Sequence, residues 1–160
     1  MRNIKMKYKI IEPTDTENIN LIKDWYFSEW GIPITISATK ICQLSKNRNE
    51  FQILLEHEGR PVATAGLYNH VGLIEHLPAL GIYKHWLAMV YTCPADRGKG
   101  YGSLICKKVE EIARDLGVKQ LSLFTHTAEA FYTGMKWDIL ERHEIGGKQI
   151  VIMHKMISSF

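Results

Sequence analysis

Hydrophobic and polar positions repeat with two different periods along this 160-residue chain, and the changes of period mark out its elements. Tyr8–Glu12 reads as a short strand. Pro13-Thr14-Asp15 supplies a turn and a cap, after which Ile19, Ile22, Tyr26 and Trp30 recur at helical spacing. That spacing predicts a helix from Thr16 to Trp30 with one apolar face, ended by Gly31-Ile32-Pro33. Ser37 is placed to cap a second helix reaching Ser45. Phe51–Glu56 and Pro61–Tyr68 read as strands joined through Glu58-Gly59-Arg60, a hairpin signal. Asn69–Tyr83 follows neither period, carries Gly72, Pro78 and Gly81, and reads as an irregular loop.

The second half is more regular. His85–Cys93 predicts a strand and Ser103–Leu116 an amphipathic helix. On that helix Leu104, Ile105, Val109, Ile112 and Leu116 form the core stripe, while Lys107, Lys108, Glu110 and Glu111 are assigned to solvent. Gly117 is its C-cap. Lys119–Phe124 reads as a strand and Ala128–Met135 as a short helix. Trp137–Glu144 and Gln149–Met156 pair as a hairpin around Gly146-Gly147. Hairpin strands followed by a crossover helix joining two strands predict a mixed α/β sheet in one domain.

Composition narrows the class. A hydrophobic content of 46% supports an ordinary core. No apolar run approaches the ~20 residues of a membrane helix. The basic start, Met1-Arg2-Asn3-Ile4-Lys5-Met6-Lys7, leads into no long apolar region and so does not read as a signal peptide. Cys42, Cys93 and Cys106 are odd in number and lack C-x-x-C spacing, which points to reduced thiols in a cytoplasmic protein. His70, His76 and His85 have no cysteine partner at zinc spacing, so no metal is expected. A net charge of +3 suits an anionic ligand and is too small to indicate nucleic acid.

The chemistry concentrates at Arg97-Gly98-Lys99-Gly100-Tyr101-Gly102, between the apolar run Trp86–Cys93 and the helix opening at Ser103. A strand, a glycine-rich turn and a helix N-terminus in that order form a phosphate site, because first-turn amides lack partners and the helix dipole favours negative charge there. A Walker A loop fails, since Ser103-Leu104-Ile105 follow Gly102. A dinucleotide fingerprint fails on the spacing Gly98-x-Gly100-x-Gly102 and on its place past the middle of the chain. The pattern R/Q-x-x-G-x-G/A matches at every fixed position from Arg97 to Gly102.

That last pattern resembles the coenzyme A pyrophosphate loop of the GNAT superfamily of N-acetyltransferases. Trp86–Arg97 looks like the fourth strand and turn of many bacterial members. Phe131-Tyr132-Thr133-Gly134-Met135-Lys136-Trp137 is similar to their F/L-Y-x-x-x-G-F/W element, with Lys136 standing where a glycine is usual. The match spans Gly81 to Trp137, and the first 80 residues are compatible with it without a diagnostic motif.

The resemblance implies the GNAT fold, with six to seven strands, about four helices, and parallel fourth and fifth strands splayed apart. It implies acetyl-CoA as cosubstrate and a primary amine as acceptor. Val90, Tyr91 and Thr92 would offer the strand edge to the pantetheine arm. Arg97, Gly98, Lys99, Gly100, Tyr101, Gly102 and Ser103 would hold the diphosphate. Tyr132 matches the tyrosine that protonates the departing sulfur. Thr125 stands where relatives often carry a cofactor-contacting asparagine, and equally reads as a cap of the short helix.

The base stays open among Glu75, His76, His85, His126 and a water chain. Lys107 and Lys108 read as a solvated helix face, which fits better than the alternative, contact with the cofactor's 3′-phosphate. Trp25, Tyr26 and Trp30 are candidates for the acceptor groove, with Tyr26 and Trp30 fitting core packing better. Glu29 is a candidate attractor of a cationic amine. Acceptors remain undivided among protein N-termini, lysines, polyamines, aminoglycosides and other amines, although Thr125-His126 before Phe131-Tyr132 looks like enzymes acting on protein N-termini. Two other readings stand beside this one: a catalytically inactive acyl-CoA-binding module, and a toxin-like acetyltransferase of aminoacyl-tRNA. An exposed final strand would support a homodimer.

Overall fold

The structure is a computed structural model that describes residues 5–44 and 48–158. Its elements run β1 (Met6–Ile10), α1 (Thr16–Trp30), α2 (Ile34–Cys42), β2 (Phe51–His57), β3 (Arg60–Tyr68), α3 (Leu73–His76), β4 (Trp86–Thr92), α4 (Tyr101–Asp115), β5 (Gln120–Thr125), α5 (Glu129–Gly134), β6 (Asp138–Ile145) and β7 (Lys148–Met156). The seven strands form one mixed sheet in the order β1-β2-β3-β4-β5-β7-β6, with β4–β5 as its parallel pair.

The sheet is covered on both faces, and β2 shows why. Ile53 and Leu55 point into the cluster built around α4, whereas Leu54 between them joins Ile19, Ile22 and Tyr26 of α1. Side chains alternate across a strand, so a continuous apolar run such as Phe51–Leu55 needs a helix layer on each side. Asp15 caps α1 by accepting from the Asn18 amide at 3.2 Å. Gly31 ends it at φ +66°, donating to the Phe27 carbonyl. The Gly146-Gly147 turn joins β6 to β7 as the spacing predicts.

Several expectations are corrected. Helix α2 begins at Ile34 with Pro33 ahead of it, and Ser37 is a buried residue inside it rather than its cap. Pro33 takes the N-cap position and offers no side-chain acceptor, so the helix starts one turn before Ser37. The expected end at Ser45 lies outside the described residues. Asn69–Tyr83 contains α3 and a 3-10 turn over Pro78–Ile82, folded on Leu73 and Leu80, which are buried. Helix α4 starts at Tyr101, two residues before the predicted Ser103.

On α4 two side chains exchange roles: Leu116 is 42% exposed and Glu110 is 4% exposed. Glu110 is drawn inward by Lys155 of β7, 2.7 Å away. The final strand β7 lies inside the sheet between β5 and β6, so the free edges belong to β1 and β6. No helix among the described residues is long and apolar enough to cross a membrane.

Candidate active site

Strands β4 and β5 meet in register at one pair, Trp86 with Ser122, closed by the Ser122 amide donating to the His85 carbonyl at 2.8 Å. Beyond that point they part. Along this stretch β4 is bulged: Thr64 of β3 faces Tyr91, but Gly66 faces Ala88, so two residues, Met89 and Val90, stand opposite Ala65. Met89 takes φ +60° in this bulge. A non-glycine residue reaches that region only when its surroundings enforce it.

A buried polar chain does so. Tyr26 donates from its hydroxyl to the Met89 carbonyl at 2.7 Å. Gln52 donates from Nε2 to the Tyr26 oxygen at 2.8 Å and contacts Thr64 Oγ1 at 2.7 Å. Tyr68 in turn donates to Gln52 Oε1 at 2.5 Å. Gly66 makes this possible, since a Cβ there would lie 2.3 Å from the Tyr68 ring and 2.6 Å from Gln52 Oε1. Burial holds the Tyr26 and Tyr68 hydroxyls well above the ordinary phenol value, so both stay protonated donors.

After β4 the chain turns through Gly98 at φ +79° and Gly100 at φ +87° into α4, whose N-terminus carries no capping side chain. A Cβ at either glycine would meet nothing within 4 Å, so the loop is open on that side, and the first amides of α4 have no capping side chain. Asp96 pins it from below: Arg60 of β3 grips its two carboxylate oxygens at 2.7 and 2.8 Å, and Lys99 Nζ lies 3.7 Å away. Those contacts, Arg60's hydrogen bonds foremost, hold the Asp96 carboxyl below the usual carboxylate value.

Arg97 faces the protein. It donates from Nε to the Thr92 carbonyl at 3.0 Å, pairs with Glu29 at 3.1 Å and lies over the Tyr91 ring. Glu29 is thereby tied to the loop. The Tyr101 side chain is buried in the core, hydrogen-bonded with His57. Gly102 sits between Thr92 and Phe131, where a Cβ would find them at 3.7 and 3.5 Å. Ser103 is half-buried on the first turn of α4. Lys108 pairs with Glu111 and covers the Tyr8 ring, while Lys107 is exposed.

Tyr132 is 8% exposed and lines the opening between the parted strands. Burial, with the Cys106 thiol nearby as a smaller cause, raises the pKa of the Tyr132 hydroxyl far above the ordinary phenol value. Burial pushes the Cys106 thiol up to about 12. Lys136 adopts φ +73°, the conformation a glycine would take there without strain. Lys155 secures this end of α5 by donating to the Met135 carbonyl at 2.9 Å while paired with Glu110. Thr125 Oγ1 accepts from the Ala128 amide at 3.0 Å and so shapes the entry to α5.

The opening continues into a cavity of about 630 Å³ that runs from Val90, Thr125 and Tyr132 to Tyr26, Trp30 and α2. Tyr26 and Trp30 line it, while Trp25 stacks on Tyr91 at 5.2 Å. Trp30 is 46% exposed, so it forms a wall of this cavity rather than the core expected from its spacing. Of the four base candidates, His126 alone lines the cavity. Its Nδ1 lies 2.9 Å from the Gln149 carbonyl, which requires the proton on Nδ1 and leaves Nε2 as the basic nitrogen. Glu75 pairs with His70, and His85 is half-buried with its pKa lowered by burial. His76 is an exposed residue of α3. Among the described residues no three His, Cys, Asp or Glu side chains are placed to hold a metal ion.

Sequence reasoning missed Gln52, Tyr68, Gly66 and Asp96. Their only signal was polar or small residues inside apolar strands and turns.

Solved structures share this architecture at low identity. The protein yncA from Salmonella typhimurium, determined with its cofactor acetyl-CoA, superposes with TM-score 0.72 at 13% identity, covering 97% of this chain and 95% of that one. An aminoglycoside 6'-N-acetyltransferase from Enterococcus faecium gives 0.75 at 13%, covering 96% and 98%. The ribosomal-protein-S18-alanine N-acetyltransferase from Escherichia coli gives 0.69 at 16%, covering 98% and 96%. No curated protein sequence matches. The sequence signature of the Acetyltransferase (GNAT) family matches residues 16–135, three quarters of the chain and the whole span from α1 to the end of α5. The parted strands, the bulge at Met89 and the open loop before α4 thus belong to a member of the GNAT acetyltransferase family.

Proposed function

We propose that the protein transfers an acetyl group from acetyl-CoA to a primary amine, directly, with both substrates bound together. The observation that carries this reading is the juxtaposition of the open Gly98–Gly102 loop with the split between β4 and β5. A diphosphate fits the uncovered amides at the start of α4, where the helix dipole favours it. Beyond Trp86 the β5-facing edge of β4 has no paired strand, and a linker that carries amides can lie along it at Val90, Tyr91 and Thr92. Solved relatives of this fold contain acetyl-CoA or coenzyme A.

Acetyl-CoA supplies the electrophilic thioester carbonyl and the leaving thiolate. The residues of the chain handle protons and position. Amides on the bulged stretch of β4 polarise the carbonyl, in the manner of oxyanion donors. His126 accepts the amine proton at Nε2 as the C–N bond forms. Tyr132 gives its hydroxyl proton to sulfur as the C–S bond breaks. The two residues are reset when the proton on His126 returns to Tyr132 through solvent. High pKa keeps Tyr132 in the protonated form this role requires.

Isothermal titration with acetyl-CoA, followed by a thiol-release assay across amines, tests the reading. Saturable binding and amine-dependent thiol release are expected. Absence of binding to folded protein rejects it.

A further inference from the structure

The charge of the cavity wall identifies the kind of amine. Four basic side chains are among the described residues that line the cavity: Lys40 of α2, His70, His126 and Lys148 of β7. Among the described residues no Asp or Glu lines it. Lysine and histidine side chains bring positive charge or none, so these four add no negative charge to the wall. Glu75 lies 3.8 Å from His70 and is itself exposed outside the lining. Glu29, the expected attractor of a cationic acceptor, is paired with Arg97 instead.

A second observation lies on α2. Ser37 is 4% exposed and lines the same cavity, yet its Oγ has no hydrogen-bond partner. Buried hydroxyls are normally satisfied, so an unpaired one on a residue of the cavity lining marks a place where a polar group of a ligand, reached by a small side-chain rotation, completes the bonding. Lys40 follows Ser37 by one turn and also lines the cavity, so the two stand on the same helix face. Trp30 and Ile36 add apolar wall beside them.

We propose that the acceptor is a small primary amine that carries its own carboxylate, as an α-amino acid does, with the carboxylate held by Lys40 and Ser37. This rests on the acetyltransferase reading above. Polycationic amines are disfavoured, because several ammonium groups would face lysines with no lining carboxylate to receive them. The same wall repels the surplus positive charge of such amines and retains an anion near the α2 turn. Apolar side chains on the amino acid would contact Trp30 and Ile36.

The test compares thiol release with matched pairs, L-phenylalanine against L-phenylalaninamide and L-methionine against L-methioninamide, alongside spermidine and kanamycin. Titration with acetyl-CoA is run on every protein used. The carboxylates are expected to exceed their amides in kcat/KM by about tenfold or more, the worth of one charge-assisted hydrogen bond. Lys40→Met and Ser37→Ala should each shrink that ratio by raising the amino-acid KM, with acetyl-CoA affinity unchanged. Comparing the ratio between wild type and variant removes the contribution of the lower basicity of the amides. Preference for amides or polycations, a ratio insensitive to Lys40→Met, or carrier binding with no turnover of any carboxylate overturns the substrate class and leaves acetyl-CoA binding standing. Failure to bind acetyl-CoA overturns the acetyltransferase reading and this proposal together.

Discussion

The Tyr26 hydroxyl on α1 donates to the main-chain carbonyl of Met89 on β4 at 2.7 Å, across 63 residues of sequence. Met89 stands at φ +60° in the bulge where β4 leaves β5, so a single side chain holds the backbone geometry that opens the sheet. Tyr26 is held in turn by Gln52 and, through it, by Tyr68.

Tyr26→Phe removes that donor and leaves the buried Met89 carbonyl and Gln52 amide short of a partner. A loss of about 1–3 kcal/mol in stability is expected, the penalty for one buried unsatisfied group. The kcat for amine acetylation should fall more than acetyl-CoA affinity, because the bulge orients amides on the reacting side. Thermal unfolding and steady-state kinetics read both effects. An unchanged kcat in a folded variant shows that the bulge holds without Tyr26.

Gly100 at φ +87° opens the loop with no atom near the place a Cβ would take. Gly100→Glu brings both backbone strain and a negative charge to the amides at the start of α4. Gly100→Asn brings only the strain, because asparagine tolerates the left-handed region better than most residues. Titration should show acetyl-CoA binding lost in the glutamate variant and kept within about tenfold in the asparagine one, as strain of ~1 kcal/mol allows. Equal affinity for all three proteins would remove the diphosphate from this loop.

Tyr132→Phe deletes the hydroxyl while keeping the ring against Phe131 and Trp137. A general acid contributes about 10²–10⁴-fold, so kcat should drop at least a hundredfold with little change in acetyl-CoA affinity. Turnover at the wild-type rate identifies Tyr132 as a packing residue.

His126→Gln keeps a hydrogen-bonding side chain at the cavity but no basic nitrogen. Turnover should fall by about a hundredfold, and added imidazole should restore part of it, as expected for a missing proton acceptor. Loss of turnover without rescue, or no loss, assigns the proton to water.

Arg60 holds the Asp96 carboxyl below its ordinary value of 3.8, chiefly by hydrogen bonding. A carboxyl with a depressed folded-state pKa contributes stability that is present above the unfolded value and lost as pH falls through the folded one. Arg60→Gln should therefore lower Tm at pH 7, and the gap to wild type should close as pH drops below 3.8. A gap that persists in acid means that Arg60 acts through packing instead.

Reading along the chain reached the glycine-rich turn, the strand before it, the helix after it and Tyr132, because each depends on neighbours within a few residues. Gly98 and Gly100 stand where left-handed backbone is required, and helix α4 follows from its apolar spacing. The same reasoning failed for Glu110, a charged residue on a helix face, because Lys155 arrives from β7 to receive it. It failed for Ser37, whose burial depends on how α2 lies over the sheet.

Local periodicity and turn chemistry are short-range properties, so the sequence by itself determined the order of the strands and longer helices and the loop that opens before α4, but not α3 inside the span read as a loop. Which of four candidate bases enters the cavity, where Arg97 and Glu29 turn, and how Met89 is held at φ +60° were decided by tertiary structure alone. Each depends on partners tens of residues apart, brought together by the packing of α1 and α2 on one face of the sheet and α4 on the other.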